Sequence, residues 1–374
     1  MQSCKDTFFS LVRLGIGHNS NALSLPINWR EIQNLADNQG LYAVILDGIE
    51  KLPTNIRPPQ EIILEWIGEV LQSYDYAYEQ YCKSIAKMAC FYNNYGYKMM
   101  ILKGYACSLN WPKPSHRPCG DIDIWLFGKQ KEADKALLKA NTRSSSARLL
   151  LEGRKNRTNK TNHFTIDTSH HHHTVFNWGD FTVENHYDFV NVHAHRSSAE
   201  LEKIFKELGK DDSYSVEVNG EKVYLPSPNL HALFLIKHMV SHFAAAEINL
   251  RQVLDWAFFA EKHTKEIDWK WLTSVLEKYH MIDFYNCLNA ICVEDLGFDA
   301  GIFHEVQFLP ALKDRILDDI LNPKYTSAEP KGFVCRFIYK YKRWQGNAWK
   351  QRLCYKESRW EYLLSGLWAK ILKP

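Results

Sequence analysis

The sequence predicts an α+β chain, helical at both ends, with its strands gathered in the middle. Three observations carry that expectation. Apolar residues recur at helical spacing through roughly the first 95 positions. Polar and apolar residues alternate over 120–127 (GDIDIWLF), and a second strand-like run covers 181–192 (FTVENHYDFVNV). After Pro226 and Pro228 the helical spacing returns and continues to the end. The expected division is an N-terminal helical region over 1–95, a core over 96–225 and a C-terminal helical domain over 226–374.

A length of 374 residues suits two or three domains, taking about 100–200 residues for each. Hydrophobic residues at 45% and charged residues at 24% belong to a globular chain and not to a disordered one. The formal net charge of +3 allows a polyanionic small ligand but lacks the strong basic balance of a dedicated nucleic-acid binder. The nine cysteines are scattered, odd in number and without a C-x-x-C pair, so free thiols are expected. Residues 1–17 have neither the apolar core nor the cleavage site of a leader peptide. No run reaches the roughly 20 apolar residues of a membrane span. A cytoplasmic protein is expected, in which the N-x-[ST] triplets at Asn156 and Asn159 carry no weight.

Taken in order, 29–37 (WREIQNLAD) and 62–97 read as helices, separated by Pro53, Pro58 and Pro59. The run 61–88 fits one long helix or two. Residues 98–102 (KMMIL) form a short apolar strand before Gly104, and 105–111 a helical turn or two. Pro112, Pro114 and Pro118 impose a loop, the 120–127 strand follows, and 132–140 is helical. The polar stretch 141–170 receives no firm element. The segments 214–218 and 222–224 flank Asn219-Gly220, a hairpin turn dipeptide. Helices are then expected over 230–242, 250–263 and 269–279.

The chemistry concentrates at Gly120–Ile124, G-D-I-D-I. Side chains alternate along a strand, so Asp121 and Asp123 share one face while Ile122 and Ile124 point into the core. Two adjacent carboxylates repel, and a hard divalent cation, Mg²⁺ or Mn²⁺, accepts such oxygen ligands. In the second strand Thr182, Glu184 and His186 share a face, which makes Glu184 a candidate third acid. Isolated D-x-D pairs are common on solvated strands. Gly120, the upstream Lys103-Gly104 and the third acid favour the metal-binding reading here. Lys103-Gly104 closes one strand and opens a helical turn, a geometry that presents backbone N–H groups to phosphate. A G-x-x-x-x-G-K-[ST] loop is missing, which disfavours a P-loop NTPase.

The order L-K-G (Leu102 to Gly104), R-x-x-G-D-I-D (Arg117 to Asp123) and V-E-x-H (Val183 to His186) resembles the uncharacterised bacterial nucleotidyltransferase family of the polymerase-β-like superfamily. The stretches N-W-R-E-I-Q-N-L-A-D-x-Q-G from Asn28 and L-R-Q-V-L-D-W from Leu250 extend the resemblance over most of the chain. It implies a polymerase-β-like core, a mixed sheet with helices, flanked by helical regions. It implies that Asp121, Asp123 and Glu184 are the catalytic, metal-holding residues. Lys103, Gly104, Arg117, Gly120 and His186 would lie on the nucleotide, with Lys103, Gly104 and Arg117 at the phosphates. The superfamily's Gly-Ser or Gly-Gly is here Gly104-Tyr105, which removes a hydroxyl that contacts the triphosphate in relatives. The implied reaction is transfer of a nucleoside monophosphate from ATP or another nucleoside triphosphate to an acceptor hydroxyl, with release of pyrophosphate. The acceptor is a small molecule, a sugar or lipid intermediate or a protein, with nucleic acid disfavoured.

Other features keep simpler readings beside functional ones. His238 and His242 lie one helical turn apart, a spacing that serves core packing or a face near the nucleotide. Arg251 and Asp255 form an i,i+4 pair that suits a surface salt bridge or a base-facing role. The run His170 to His173 is an adventitious metal binder or, on the minority reading, a functional one. The aromatic-basic tail 331–374 (Phe337, Tyr339, Tyr341, Trp344, Trp349, Trp360 and Trp368) is expected to pack on the catalytic domain, with a membrane-surface helix over 360–372 as the other option. The alternatives to a transferase are a non-catalytic scaffold that keeps the fold and a metal-dependent phosphohydrolase.

Overall fold

The computed structural model describes residues 3–20, 23–143, 164–304, 307–358 and Glu361. Asn156, Asn159 and most of the segment 360–372 lie outside the described residues. The chain groups into two compact units. The first joins Met1–Asp75 and Asn110–Arg117 with Ala232–Arg359, so the two terminal helical regions share one unit. The second comprises Tyr76–Leu109 and Pro118–His231.

The first unit is helical. Its early helices are Cys4–Ile16, Trp29–Asn38, Tyr42–Glu50 and Gln60–Glu69. Ser3 starts the first of these as a capping box: its hydroxyl accepts the Asp6 N–H at 3.1 Å while the Asp6 side chain accepts from Ser3. The later helices include Leu250–His263, with the bounds expected from its spacing, opened by a second capping box from Asn249 and Gln252. The run from Gln60 to Asn94 is helical throughout, with π-helical turns over Val70–Tyr76. That resolves the choice left open for 61–88.

The tail differs from expectation. Helix Phe333–Gly346 has no buried residue, and Phe333 and Phe337 stand 86% and 66% exposed. Phe333 and Phe337 therefore do not pack as expected, whereas Tyr339 of the same helix is half-buried against Tyr325. Trp349, in the next helix, Ala348–Cys354, does pack, against Phe243 and beneath the Arg315 guanidinium.

Among the described residues the second unit carries six strands: β1 (Met100–Ile101), β2 (Ile122–Trp125), β3 (His173–Trp178), β4 (Phe181–His186), β5 (Ser215–Val218) and β6 (Glu221–Tyr224). Their spatial order is β3-β4-β2-β1-β6-β5. The sheet is mixed, with β2 parallel to β4 and β1 parallel to β6, and antiparallel pairs elsewhere. Asn219 and Gly220, both at positive φ, make the two-residue turn between β5 and β6.

One face of this sheet is the core. Ile101, Ile122, Ile124, Phe176, Trp178, Val183 and Val223 pack with Tyr81, Ile85, Met88 and Tyr92 of helix Ala77–Asn94 and with Ala133 and Leu137 of helix Gln130–Arg143. Ile122, Ile124 and Val183 are fully buried. Each contributes about 1.5–3 kcal/mol by burial, and a one-residue slip would exchange them for Asp123 and Glu184. The apolar residues therefore fix the register that turns the acids to the other face.

Beneath the β3–β4 pair, Asp134 accepts hydrogen bonds from Asn185 at 2.8 Å and Thr174 at 2.9 Å, and also from Gln130. The strand expected to run from 181 to 192 stops at His186. Beyond it the Phe189 and Val190 N–H groups donate to the Glu202 carboxylate at 3.1 and 3.0 Å, so they are withdrawn from strand pairing. Strand β3 had no counterpart in the sequence reading, nor had helix Arg196–Leu208.

Candidate active site

The non-core face of the sheet gathers ionisable side chains from three adjacent strands. Asp123 of β2 is the direct neighbour of Glu184 of β4. His173 of β3 lies opposite His186 of β4. Paired residues on neighbouring strands share a face, as do residues two apart along a strand, so Asp123, Glu184, His186 and His173 project together.

Asp123 is the buried centre, with a relative exposure of 2%. The Lys103 ammonium sits 2.8 Å from its Oδ1, and His186 Nε2 lies 3.2 Å from the same oxygen. Burial alone would raise the Asp123 carboxyl. The Lys103 and His186 contacts outweigh it and hold the group well below the usual carboxylate range. Lys103 in turn is held above its ordinary value: burial opposes the charge, but Asp123 and Glu184 more than compensate. Glu184 behaves in the opposite way to Asp123. Burial first, then the negative charge of Asp123, pushes it up to about 6. One acid is thus firmly ionised beside another poised to exchange a proton, an arrangement common at reactive centres.

Asp121 stands exposed immediately before β2. Partial desolvation and the Asp123 charge raise its carboxyl, with Lys103 opposing. Its backbone is held from the core side: the Tyr81 hydroxyl donates to the Asp121 carbonyl at 3.0 Å. Tyr81 also fills the space over Gly104. A Cβ there would lie 2.2 Å from the Tyr81 oxygen, and Gly104 has φ +58. The glycine is required both by its conformation and by that close approach. Gly104 precedes the single helical turn Tyr105–Ser108. Gly120 is exposed, with open space where a Cβ would project.

His186 is oriented by its second nitrogen. Nδ1 lies 3.2 Å from the Asp188 carbonyl, which can only accept, so Nδ1 carries the proton. In a neutral ring Nε2 then offers its lone pair towards Asp123 and towards Glu184 Oε2 at 3.7 Å. A lone pair facing two carboxylates needs a cation between them or a second ring proton. Ligand atoms of Asp123, Glu184 and His186 lie within 4.8 Å of one another, a span that one metal ion can bridge. These residues fit a divalent cation by donor type and spacing.

A second trio, His172, His173 and His186, meets the same spacing. Burial and the neighbouring ring of His186 push His172 down to about 2 and His173 down to about 3, so both rings are neutral at physiological pH. The sequence reading placed neither at the site. The signal was present in T-V-F-N-W-G-D-F-T-V-E-N-H. A two-residue Gly179-Asp180 turn pairs Trp178 with Phe181, and counting back along the hairpin sets His173 opposite His186.

Of the sequence-derived site residues, Lys103, Gly104, Gly120, Asp121, Asp123, Glu184 and His186 all belong to the second unit. Arg117 falls in the first. There it is buried and bidentate on Asp255, Nε to Oδ1 and Nη2 to Oδ2 at 2.8 Å each, with the Trp111 indole donating to the same carboxylate at 2.9 Å. Asp255, at 4% exposure, is an interior acid and not half of a surface pair. The His238 and His242 rings lie 4.3 Å apart and tilted in the first unit, and neither joins a metal-type trio among the described residues. All nine cysteines are thiols outside any disulfide. Among the described residues no helix is long and apolar enough to cross a membrane.

A solved structure with similarity to the chain is an antigenic nucleotidyltransferase-like protein from Paracoccidioides brasiliensis, 14% identical, covering 60% of this chain and 96% of that one, with a TM-score of 0.35. No curated protein matches. The family model described as "Uncharacterised nucleotidyltransferase" matches residues 26–296, a span that contains the acid-bearing strands, Lys103 and the Arg117–Asp255 pair. The chain therefore belongs to the uncharacterised nucleotidyltransferase family.

Proposed function

We propose that the chain transfers a nucleoside monophosphate from a nucleoside triphosphate to an acceptor hydroxyl, releasing pyrophosphate, at the acid-bearing face of a polymerase-β-like sheet. The observation that carries this is the register of β2 on β4, which sets Asp123 beside Glu184 in a member of a nucleotidyltransferase family. Asp121, Asp123 and Glu184 would hold Mg²⁺ or Mn²⁺, with His186 as a neighbouring donor. A bound divalent ion supplies charge neutralisation for the triphosphate and a lowered pKa for the attacking hydroxyl.

The chain's own residues do the rest. Asp123, kept ionised by Lys103, anchors the site on a strand that cannot shift register without exposing Ile122 and Ile124. Glu184, raised to about 6 by burial and the Asp123 charge before an ion binds, is the acid placed to take the proton of the acceptor hydroxyl. Lys103 brings a positive charge to this face and, with Gly104 and Gly120, is assigned to the phosphates. Tyr81 holds the Asp121 backbone, so the exposed carboxylate keeps its place relative to Asp123. Arg117 is closed on Asp255 and is not assigned to the phosphates.

The test is product analysis. The purified protein is incubated with each ribonucleoside triphosphate, Mg²⁺ or Mn²⁺, and a small-molecule cell extract as the source of acceptors. Metal-dependent pyrophosphate release that Asp123→Asn abolishes supports the proposal. Orthophosphate released without acceptor would identify a phosphohydrolase instead.

A further inference from the structure

The acid face has an imidazole-rich extension. His172, His173 and His186 bring ring nitrogens within 4.8 Å of one another, and His173 Nδ1 and His186 Nε2 each lie 3.7 Å from Glu184 Oε2. At 3.7 Å these are too long for hydrogen bonds.

The buried nitrogens make the case. Both ring nitrogens of His173 and Nδ1 of His172 are buried without a hydrogen-bond partner among the described residues, and His173 is only 5% exposed. Buried polar atoms are ordinarily paired, so three orphans on two adjacent rings of this cluster require an occupant or an explanation. Packing of histidines on one another is the simpler account. It leaves these lone pairs and N–H groups unused, and it does not explain why a carboxylate stands equidistant from two of the rings.

We propose that His172, His173 and His186 form a three-imidazole site for a borderline transition-metal ion of the Zn²⁺ class, with a solvent ligand completing the tetrahedron and Glu184 beside it. Imidazole-rich donor sets favour Zn²⁺, Co²⁺ or Ni²⁺ over Mg²⁺, which takes oxygen ligands in octahedral geometry. The Asp188 carbonyl on His186 Nδ1 is the outer hydrogen bond that orients a ligating histidine. The site differs from the expected hard-cation site in chemistry, although it borrows His186 from it. It also gives part of the run His170 to His173 a role at the sheet. The inference stands whether or not the chain transfers nucleotides, because it is read with metal alone.

The experiment titrates Co²⁺ into the full-length, metal-stripped protein and follows the visible absorption that tetrahedral cobalt gives. The proposal expects one intense band set saturating at one equivalent, displaced by stoichiometric Zn²⁺ and unmoved by a large excess of Mg²⁺. The double variant H172A/H173A, and separately His173→Asn as a milder change, weakens binding by roughly 100-fold or more. The variants H170A/H171A and Asp121→Asn leave it within about threefold. Circular dichroism and a thermal melt confirm folding in each case. Cobalt that binds the H172A/H173A protein as tightly as wild type, or binding that disappears in H170A/H171A, would overturn the proposal. So would a spectrum of weak octahedral cobalt only. Loss of pyrophosphate-forming activity with cobalt binding retained would count against the transferase reading and not against this site.

Discussion

The two units each bury a charged cluster, and they treat it differently. In the first, Asp255 is closed off: Arg117 takes both carboxylate oxygens and Trp111 adds a third donor. In the second, Asp123 has Lys103 and His186, but its neighbours Glu184, His172 and His173 retain unsatisfied electrostatics or unpaired nitrogens. A buried cluster that satisfies all its members has the character of a structural device. One that leaves acids raised and ring nitrogens orphaned has the character of a site awaiting an ion or a ligand. The difference lies in the completeness of pairing, since both clusters use the same kinds of residue.

The comparison breaks most sharply on Asp123. Replacing Asp123 with Asn is expected to lower metal-dependent pyrophosphate release by roughly 10³-fold, the scale of losing a principal electrostatic contact. The protein should still fold, as judged by circular dichroism. The corresponding change in the other cluster, Arg117→Met, is expected to cost about 3–5 kcal/mol of stability in denaturant titration by stranding Asp255. It should leave metal affinity unchanged. If instead Arg117→Met left stability intact and raised the KM for the nucleotide, the Asp255 pair would not be Arg117's main task.

A smaller effect is expected at Gly104. Gly104→Ala forces a Cβ towards the Tyr81 hydroxyl at a positive φ and should cost about 1–3 kcal/mol. Tyr81→Phe removes only the hydrogen bond to Asp121 and should cost about 1 kcal/mol. A larger loss of activity than of stability in Tyr81→Phe would mark it as a positioning residue for Asp121.

The mildest test uses pH. Glu184 titrates near 6 in the folded protein against 4.5 for the ordinary group. The folded state thus binds this proton more tightly than the unfolded chain does. The stability of the metal-free protein should therefore fall as pH rises from 4.5 through about 6. Metal binding needs the ionised acid, so Mn²⁺ affinity should rise over the same window, by up to roughly tenfold per pH unit. A pH-independent Mn²⁺ affinity between 5 and 7 would remove Glu184 from the ligand set.

Much of the site was legible because strand periodicity is rigid. G-D-I-D-I placed two acids on one face and two isoleucines on the other, and the burial of Ile122 and Ile124 accords with it. Glu184 was legible as a third acid by its period within β4, although its pairing with Asp123 is a long-range contact that no local pattern specifies. The partner of Arg117 was illegible for the same reason, since Asp255 lies 138 residues away. His173 was obscured by the neighbouring histidines, whose run suggests an adventitious metal binder before it suggests a strand. The end of β4 was hidden by Glu202, whose carboxylate takes the two N–H groups after it from a later helix.

The most direct test of the central claim is thermal stability with each of the four ribonucleoside triphosphates, with and without Mg²⁺ or Mn²⁺, for the wild type and for the Asp121→Asn/Asp123→Asn double variant. The account predicts stabilisation by at least one triphosphate that requires the metal and vanishes in the double variant. Equal stabilisation of the double variant, or no stabilisation of the wild type by any metal–triphosphate pair, would contradict a nucleotide site on this face of the sheet.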